Sequence, residues 1–564
     1  MNLLNSLSIN MLYIENLWHW SILSILSFIG ILNTTLYYTY FWQLKEYRLD
    51  RMRDFLRTKS GLRKIFSFLT LAKLFILLEV VLCFALPNTN NSILFQLLEI
   101  SIGLILVGEF LSILWRIAKR KLYRPVITAK VLIIVFLTIV IDVLLGNMMY
   151  RLIRWESIWE LNLAETVWLL PVILIFSYLI LPIVNALVVG LLYPITQFSK
   201  GRKLAAAHRK IAKMQGLKVI GITGSYGKSS VKEFLAQMLE TKFRVLKTPG
   251  NTNTEIGVAE VVLRNLKPEH EVFIVEAGAY KIGEIKKIAE MVKPRIGIIT
   301  AVKDAHLGLF GSLENIKKAK FELIEALPEF GVGIFNNDNV GSADLAGKAE
   351  VQKIIRYGSG AGADLRAENL KADIDGVSFE VQGVKFRAEL AGRQNISNIL
   401  GAMAAAMEMG MKLEELVNIV AGLKMRDHTL TVKKVSTDLV LIDDTYNANP
   451  DGVVAGLEYL NLYSGWQKIV VFPGMLELGE KSEEEHARVA TKMTEVCDLV
   501  ILTSHDFDKA IRNVFEEKNY QNFTYYVDNQ TGQADFLKEK IAAKKSVLLF
   551  ISRGNEMVIK KLSQ

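Results

Sequence analysis

Over the first two hundred residues the apolar positions run together, and beyond residue 217 they come in short bursts separated by amphipathic stretches. Five runs are long enough to cross a bilayer, which takes roughly 20 residues each. They lie near 18–40, 65–86, 93–115, 126–150 and 166–192. No Lys or Arg precedes the first run and no small-residue cleavage signal follows it, so it predicts an anchor rather than a removable leader. After residue 217 the bursts LKVIGIT (217–223), EVFIVEAG (271–278), PRIGIITAV (294–302) and GVGIFNN (331–337) read as buried strands. Helical stretches such as SSVKEFLAQMLE (229–240) lie between them. A second set of strands follows at 439–446, 468–474, 498–504, 523–528 and 546–552. Strands alternating with helices predict a mostly parallel sheet covered on both faces. The fold expected is therefore a membrane α-helical region followed by α/β domains. Its parts are a membrane region 1–198, a basic linker helix 199–217, a central domain 218–424 and a C-terminal domain 425–564.

Charge sharpens this division. The 564 residues carry a formal net charge of +9, yet residues 1–218 hold 24 Lys and Arg against 11 Asp and Glu, and the rest is net acidic. A basic excess confined to the apolar half points to a membrane surface and away from nucleic acid. The excess sits in alternate loops. Residues 41–64 hold eight basic side chains, 116–125 hold five, and 87–92 hold none. By the positive-inside rule this places the N-terminus outside and everything after residue 195 in the cytoplasm, on a multi-pass protein of the cell membrane. The basic, Ala-rich stretch 199–217 reads equally as a helix lying on anionic lipid or as a solvated linker. Lys73, Glu79, Glu99, Glu109 and Asp142 fall inside the spans, where ionisable groups pair between helices or mark a polar path. With 51% apolar residues the chain is not disordered. Its two cysteines, Cys83 and Cys497, exclude a disulfide framework and a cysteine zinc site.

The chemistry begins where the strand 217–223 runs into Gly224-Ser225-Tyr226-Gly227-Lys228-Ser229-Ser230 and a helix. A strand, a glycine turn and a helix N-terminus make an anion cradle of backbone N–H groups. Lys228 would neutralise β/γ-phosphate charge and Ser229 would ligate Mg²⁺. The spacing, Gly-x-x-Gly-x-x-Gly-Lys-Ser, departs from the eight-residue nucleotide loop, which wants Gly where Ile222 stands. Glu276 and His306 follow strand ends, where open α/β sheets place their ligands.

The spacing, together with TPGNTNTEIG (248–257), VEAGAYKIGEI (275–285), AHLGLFGSLENIKKAKFE (305–322), GRQNISNILGAMAAA (392–406), LIDDTYNANPDG (441–452) and PGMLELGEKSEEEH (473–486), resembles the Mur ligase family. The last two segments look most like the branch that adds D-alanyl-D-alanine to the cell-wall precursor. The resemblance covers about 220–560 and implies a P-loop central domain, a Rossmann-like C-terminal domain, and an ATP- and Mg²⁺-dependent ligase. Such an enzyme activates a carboxylate as acyl phosphate for attack by an amino acid or dipeptide. The resemblance implies that Ser229 and Glu276 bind one Mg²⁺ and that His306 helps bind another. It matches Lys320 to a lysine that becomes carbamylated, with Lys317 and Lys318 as close alternatives in register. It gives Asn395 and Asn398 to adenine and Arg426, in an altered MRDH context, to ATP. It gives Asp443 to the ribose, and Asn251, Asn253, Asp444, Tyr446 and Asn447 to the substrates.

Family ligases of this branch carry an N-terminal domain that holds the UDP-sugar; here the five spans stand in its place. A carboxylate carried on a membrane lipid would explain the fusion. The rivals are a polyglutamate-type ligase, a nucleotide-energised transporter or flippase, and an inactive scaffold. The DDTYNANP segment argues against the first. The second lacks a transport-type signature loop.

Overall fold

The computed structural model describes residues 2–563 except 58–60, 63, 65–67, 86–90, 120–121, 157–168, 304–306, 426–427, 447, 476–477, 528, 543 and 553. It divides into two units, Met1–Phe198 and Ser199–Gln564.

The first unit is helical. Among the described residues four helical segments are long and apolar enough to cross a membrane: Ile22–Leu44, Ile100–Ala118, Ala129–Leu152 and Ile173–Leu191. The expected span at 65–86 appears as the helix Phe68–Ala85, which is not among these four. The outward faces carry large apolar side chains such as Leu104, Phe136 and Val143. Inside, Lys73 and Glu109 pair at 2.8 Å, and Asn185 Nδ2 donates to Thr39 Oγ1 at 3.0 Å and Thr138 Oγ1 at 3.3 Å. Helix pairing, one of the two explanations for ionisable groups in the spans, thus accounts for Lys73 and Glu109. The side chain of Glu99 lies outside the described residues.

The second unit holds two sheets. The first has strands β1 (Lys218–Thr223), β2 (Val245–Lys247), β3 (Val272–Glu276), β4 (Ile296–Ile299), β5 (Val332–Asn336), β6 (Lys353–Gly358), β7 (Leu365–Asp373), β8 (Gly376–Val381) and β9 (Val384–Ala388). Their spatial order is β2-β3-β1-β4-β5-β6-β7-β8-β9. The strands β1 to β6 pair in parallel, and β7 to β9 form an antiparallel meander. The central strands are continuous Val/Ile/Phe runs because both faces are covered by helices. The strand order reverses between β1 and β4, whose connections lead to opposite sides, so the crevice beyond their carboxyl ends is where a ligand belongs. The second sheet has β10 (Thr431–Lys434), β11 (Leu439–Asp444), β12 (Gln467–Phe472), β13 (Leu499–Leu502), β14 (Phe523–Tyr525) and β15 (Ser546–Ile551), in the order β10-β11-β15-β12-β13-β14. Only the β10–β11 pair is antiparallel.

The basic stretch before β1 is a helix, Tyr193–Ala212. Its Ala207 and Ile211 pack on the central domain. Lys200 reaches Glu255 at 2.7 Å, Lys203 reaches Glu260 at 3.0 Å, and Lys210 donates to the Leu263 carbonyl at 2.9 Å. Arg202, Arg209 and Lys213, spaced along one stripe, face outward.

Candidate functional site

The loop after β1 depends on two glycines. Gly224 has φ +151° and Gly227 φ +82°. A Cβ on Gly224 would sit 2.0 Å from Thr300 Oγ1, and one on Gly227 2.7 Å from Asn398 Oδ1. The end of β4 pins the loop. The Ser225 N–H donates to the Ala301 carbonyl at 2.7 Å, and Ser225 Oγ donates to the Lys303 carbonyl at 2.8 Å. Thr300 Oγ1 donates to the Tyr226 carbonyl at 2.5 Å. The helix Lys228–Leu239 then starts with no side-chain cap. Its first N–H groups and its dipole are therefore available to an anion. Lys228 Nζ folds back onto the Gly224 carbonyl at 2.7 Å.

Beside the loop, Glu276 ends β3 with 1% exposure. Its Oε2 accepts from Ser229 Oγ at 2.9 Å and Lys232 Nζ at 2.9 Å, and its Oε1 accepts from Asn253 Nδ2 at 3.0 Å. Burial works against the carboxylate, but Lys232 and Lys228 hold it below the ordinary carboxylate range. The hydroxyl of Ser229 and the carboxylate of Glu276 are hard oxygen donors of the kind Mg²⁺ prefers, and both line the cleft. Among the described residues no cluster of three His, Cys, Asp or Glu could hold a metal by itself. A cation there would share its shell with phosphate oxygens, as Mg²⁺ commonly does.

Of the three neighbouring lysines only Lys320 turns inward, at 4% exposure. Lys317 instead pairs with Asp344 and Glu314, and Lys318 is exposed. Burial, with Lys228 close by, pulls the Lys320 amine down to about 7. A large fraction is then uncharged at neutral pH, the state an amine needs to react with CO₂. The Lys320 Nζ lies 5.9 Å from the Phe310 ring centroid. His306, Arg426 and Asn447 lie outside the described residues.

Tyr226, Lys228, Ser229, Asn251, Asn253 and Glu276 line one side of a cleft of about 1120 Å³. The C-terminal domain lines the other with Tyr446, Asn449, Asp451, Gly474, Phe507 and Arg488. Asn395 and Asn398 lie behind the phosphate loop and do not line this cleft. Asn395 is buried and donates to the Ala391 carbonyl at 2.7 Å, while Asn398 Nδ2 donates to Asn395 Oδ1 at 3.0 Å. Asp443 and Asp444 turn toward the connection between the domains. Asp443 Oδ2 lies 2.8 Å from His428 Nδ1, and Asp444 Oδ1 accepts the Leu430 N–H at 3.1 Å. His428 and Leu430 have φ of +66° and +45°, so the two aspartates brace a bend that L-residues rarely adopt.

The sequence had not pointed to Lys303, Asp451 and Arg488. Lys303 Nζ crosses from the end of β4 to Asp451 Oδ2 at 2.8 Å, and Arg488 Nη2 meets Asp451 Oδ1 at 3.1 Å. A signal was present for Asp451. Asn449 caps the helix Pro450–Asn461 and Pro450 takes its first turn, which fixes Asp451 at the end of a helix facing the cleft.

Two family models match the second unit: the Mur ligase middle domain over 222–406, and the Mur ligase, glutamate ligase domain over 430–554. The UDP-N-acetylmuramoyl-tripeptide–D-alanyl-D-alanine ligase of Haemophilus influenzae is 32% identical over 331 residues, which cover 57% of this chain and 69% of that one. The chain belongs to the Mur ligase family. The Escherichia coli (strain K12) ligase of the same name is 35% identical over 277 residues, covering 48% of this Mur ligase chain and 61% of its own. The chain thus spans about three fifths of the E. coli, Bacillus subtilis and Synechocystis relatives. Among solved structures, MurF from Acinetobacter baumannii superposes with TM-score 0.59 at 26% identity, covering 64% of this chain and 80% of its own. MurF from Thermotoga maritima in complex with ADP gives 0.57 at 25% identity, covering 65% and 83%.

Proposed function

We propose that this Mur ligase is a membrane-anchored, ATP- and Mg²⁺-dependent peptide ligase of peptidoglycan precursor synthesis. It joins a dipeptide such as D-alanyl-D-alanine to a carboxylate carried on a membrane lipid. The observation that carries the reading is the convergence of the phosphate loop and of Glu276 with Ser229 on one cleft whose far wall belongs to the C-terminal domain, with the buried low-pKa Lys320 close to Lys228. In the reaction a substrate carboxylate oxygen attacks the γ-phosphorus of ATP and ADP leaves. The amine then attacks the acyl carbon of the acyl phosphate, inorganic phosphate leaves, and the nitrogen gives up a proton. The loop N–H groups and Lys228 hold the phosphates and meet charge developing on the transferred group. Ser229 and Glu276, with His306 and a carbamylated Lys320, are the residues that would hold Mg²⁺, which neutralises phosphate charge when bound. Asn395 and Asn398, behind the phosphate loop, would support the adenine side from outside the cleft, and Asp443 and Asp444 would act through the bend at 428–430 that they brace. Arg426 would serve the remainder of ATP, and Asn251, Asn253, Tyr446 and Asn447 the two acceptor substrates.

Counting Phe68–Ala85 as a span restores five and puts the basic loops and both catalytic domains on the cytoplasmic side, where ATP is. The outward Arg202, Arg209 and Lys213 of the linker helix suit an anionic lipid surface. The test uses the full-length protein in detergent with ATP, Mg²⁺, D-alanyl-D-alanine and a panel of UDP-linked and lipid-linked muropeptides, with products read by mass spectrometry. Amide formation on a lipid-linked acceptor at higher kcat/KM than on its UDP-linked counterpart is expected. Preference for the UDP-linked acceptor would reduce the spans to an anchor, and no amide on any acceptor would overturn the reading.

A further inference from the structure

We infer that His486 is a positioning residue: through the Met475 amide it fixes the wall of the C-terminal domain that closes on the segment following His306. The inference deepens the ligase reading and rests on it. His486 is fully buried in the helix Ser482–Val496. Its Nδ1 lies 2.6 Å from the Ser482 carbonyl oxygen, which can only accept, so Nδ1 carries the proton. Its Nε2 is then a bare lone pair, and it accepts the Met475 N–H at 2.9 Å. Both ring nitrogens are used only if the imidazole is neutral, and burial favours that form. The ring stacks on Phe507 with centroids 4.0 Å apart and planes 14° apart. Gly474 closes the stack. Its φ is +92°, and a Cβ there would lie 2.2 Å from Phe507 Cδ2 and 3.4 Å from His486 Nε2. Gly474 and Phe507 both line the cleft.

Four residues after Met475, Gly479 reaches the central domain. A Cβ on Gly479, φ +59°, would lie 2.8 Å from both Cα and N of Gly308. The two backbones therefore touch with no side chain between them, in the helix Leu307–Phe310 that begins directly after His306. Phe310 in turn faces Lys320. A ring that holds Met475 thus sets the wall that meets this helix. Misplacement of such a wall by about an ångström can cost up to a hundredfold in rate.

Two variants of the full-length protein separate positioning from bulk packing. His486→Phe keeps an aromatic ring against Phe507 but offers no acceptor. His486→Gln offers an amide oxygen to Met475 and an N–H to Ser482 without the ring. Hydrogen exchange over 473–475 should speed up about tenfold in His486→Phe and recover most of its protection in His486→Gln. In steady-state assays His486→Phe should lose about tenfold in kcat and raise KM for the amine, with KM for ATP within about twofold of wild type, because the phosphate loop sits on the other domain. Unchanged exchange and kcat in His486→Phe would overturn the inference. So would a parallel loss of ATP affinity, or a His486→Gln variant no better than His486→Phe. If the wild type makes no amide at all the ligase reading fails, while the exchange experiment still decides whether His486 holds Met475.

Discussion

Two buried lysine–glutamate pairs, one in each unit, show how little a salt bridge says by itself. Lys73 and Glu109 meet at 2.8 Å among the apolar helices, and Lys232 and Glu276 meet at 2.9 Å under the phosphate loop. Their geometry is nearly the same. Their surroundings differ. Lys73 lies 3.6 Å from the centroid of the Tyr178 ring, whose hydroxyl donates to the Ser27 carbonyl at 2.9 Å, so the pair is closed in by helices. Lys232 also donates to the Gly250 carbonyl at 2.6 Å, and Glu276 also takes Ser229 and Asn253, two residues that line the cleft. Breaking a buried pair is costly wherever it lies, yet replacing the whole pair is often neutral. The pair that can be exchanged for apolar residues without loss of activity is structural, and the one that cannot is part of the site.

The largest effect is expected from Glu276→Gln. The substitution keeps the shape and the bond to Asn253 but removes the charge that faces Lys232 and Ser229. Loss of about a thousandfold in kcat is expected, the scale for removing one preorganised electrostatic group, together with a fall in melting temperature, because Lys232 is left buried without its counter-charge. Ligation within about tenfold of wild type would detach Glu276 from the chemistry.

Next comes Lys320. Its replacement by Ala should cost about a hundredfold in kcat, partly restored by short carboxylic acids. The pH dependence has a definite sign. The folded-state amine titrates near 7 instead of 10.5, so between these values the unfolded chain holds a proton that the folded chain has lost. Stability therefore rises with pH across that window, and the burial penalty is full below pH 7. Lys320→Met should remove this rise, so its melting temperature should gain most over wild type at pH 6 and least near pH 10. Stimulation of the wild type by bicarbonate should grow from pH 6 to 8 as the neutral amine accumulates. Matching pH–stability curves for both proteins would take Lys320 out of the buried position.

These residues differ in how far the sequence exposed them. Gly224, Gly227, Lys228 and Ser229 were legible because a strand, a glycine turn and a helix start are local events, and the two positive-φ glycines sit where the turn demands them. The register of Lys320 among three lysines was not, since only packing decides which one turns inward. The meander β7–β9 carries a weaker signal: VSFEVQGVKFRA (377–388) alternates strictly about a Gln-Gly turn, a two-residue period set inside the stronger strand–helix rhythm. The resemblance implied ribose and substrate roles for Asp443 and Asp444, but the bend at 428–430, twelve or more residues earlier, holds their side chains. Lys303 could not be found without the structure, because it meets Asp451 across two domains, and Arg488 reaches Asp451 only through the packing of two helices.

The pair among the apolar helices supplies the control. Lys73→Met leaves Glu109 without its cation and should cost about 3–5 kcal/mol, read as a fall in melting temperature in detergent. The double variant Lys73→Met with Glu109→Leu should recover most of that loss. Neither should change kcat by more than about twofold if the pair is structural. A double variant that is stable but inactive on a lipid-linked acceptor would move Lys73 and Glu109 into the substrate path.

The smallest effect tests a third kind of pair, exposed and bridging. Lys303 and Asp451 join the two domains across the cleft at 2.8 Å, but their side chains keep 49% and 28% of their exposure. Water and salt reach them, so the pair is worth only about 0.2–1 kcal/mol, roughly a factor of 1.4 to 5 in an equilibrium. If the bridge favours the closed cleft, Asp451→Asn should raise KM for the amine by about that factor, leaving kcat and KM for ATP unchanged. Salt offers an independent check. Screening at about 0.5 M should bring wild type toward the variant, and the variant itself should respond little, because Arg488 is left with Glu485 at 2.9 Å. A salt response of equal size in both proteins would mean that other charges set the closure, and Lys303 and Asp451 would then be neighbours without being partners.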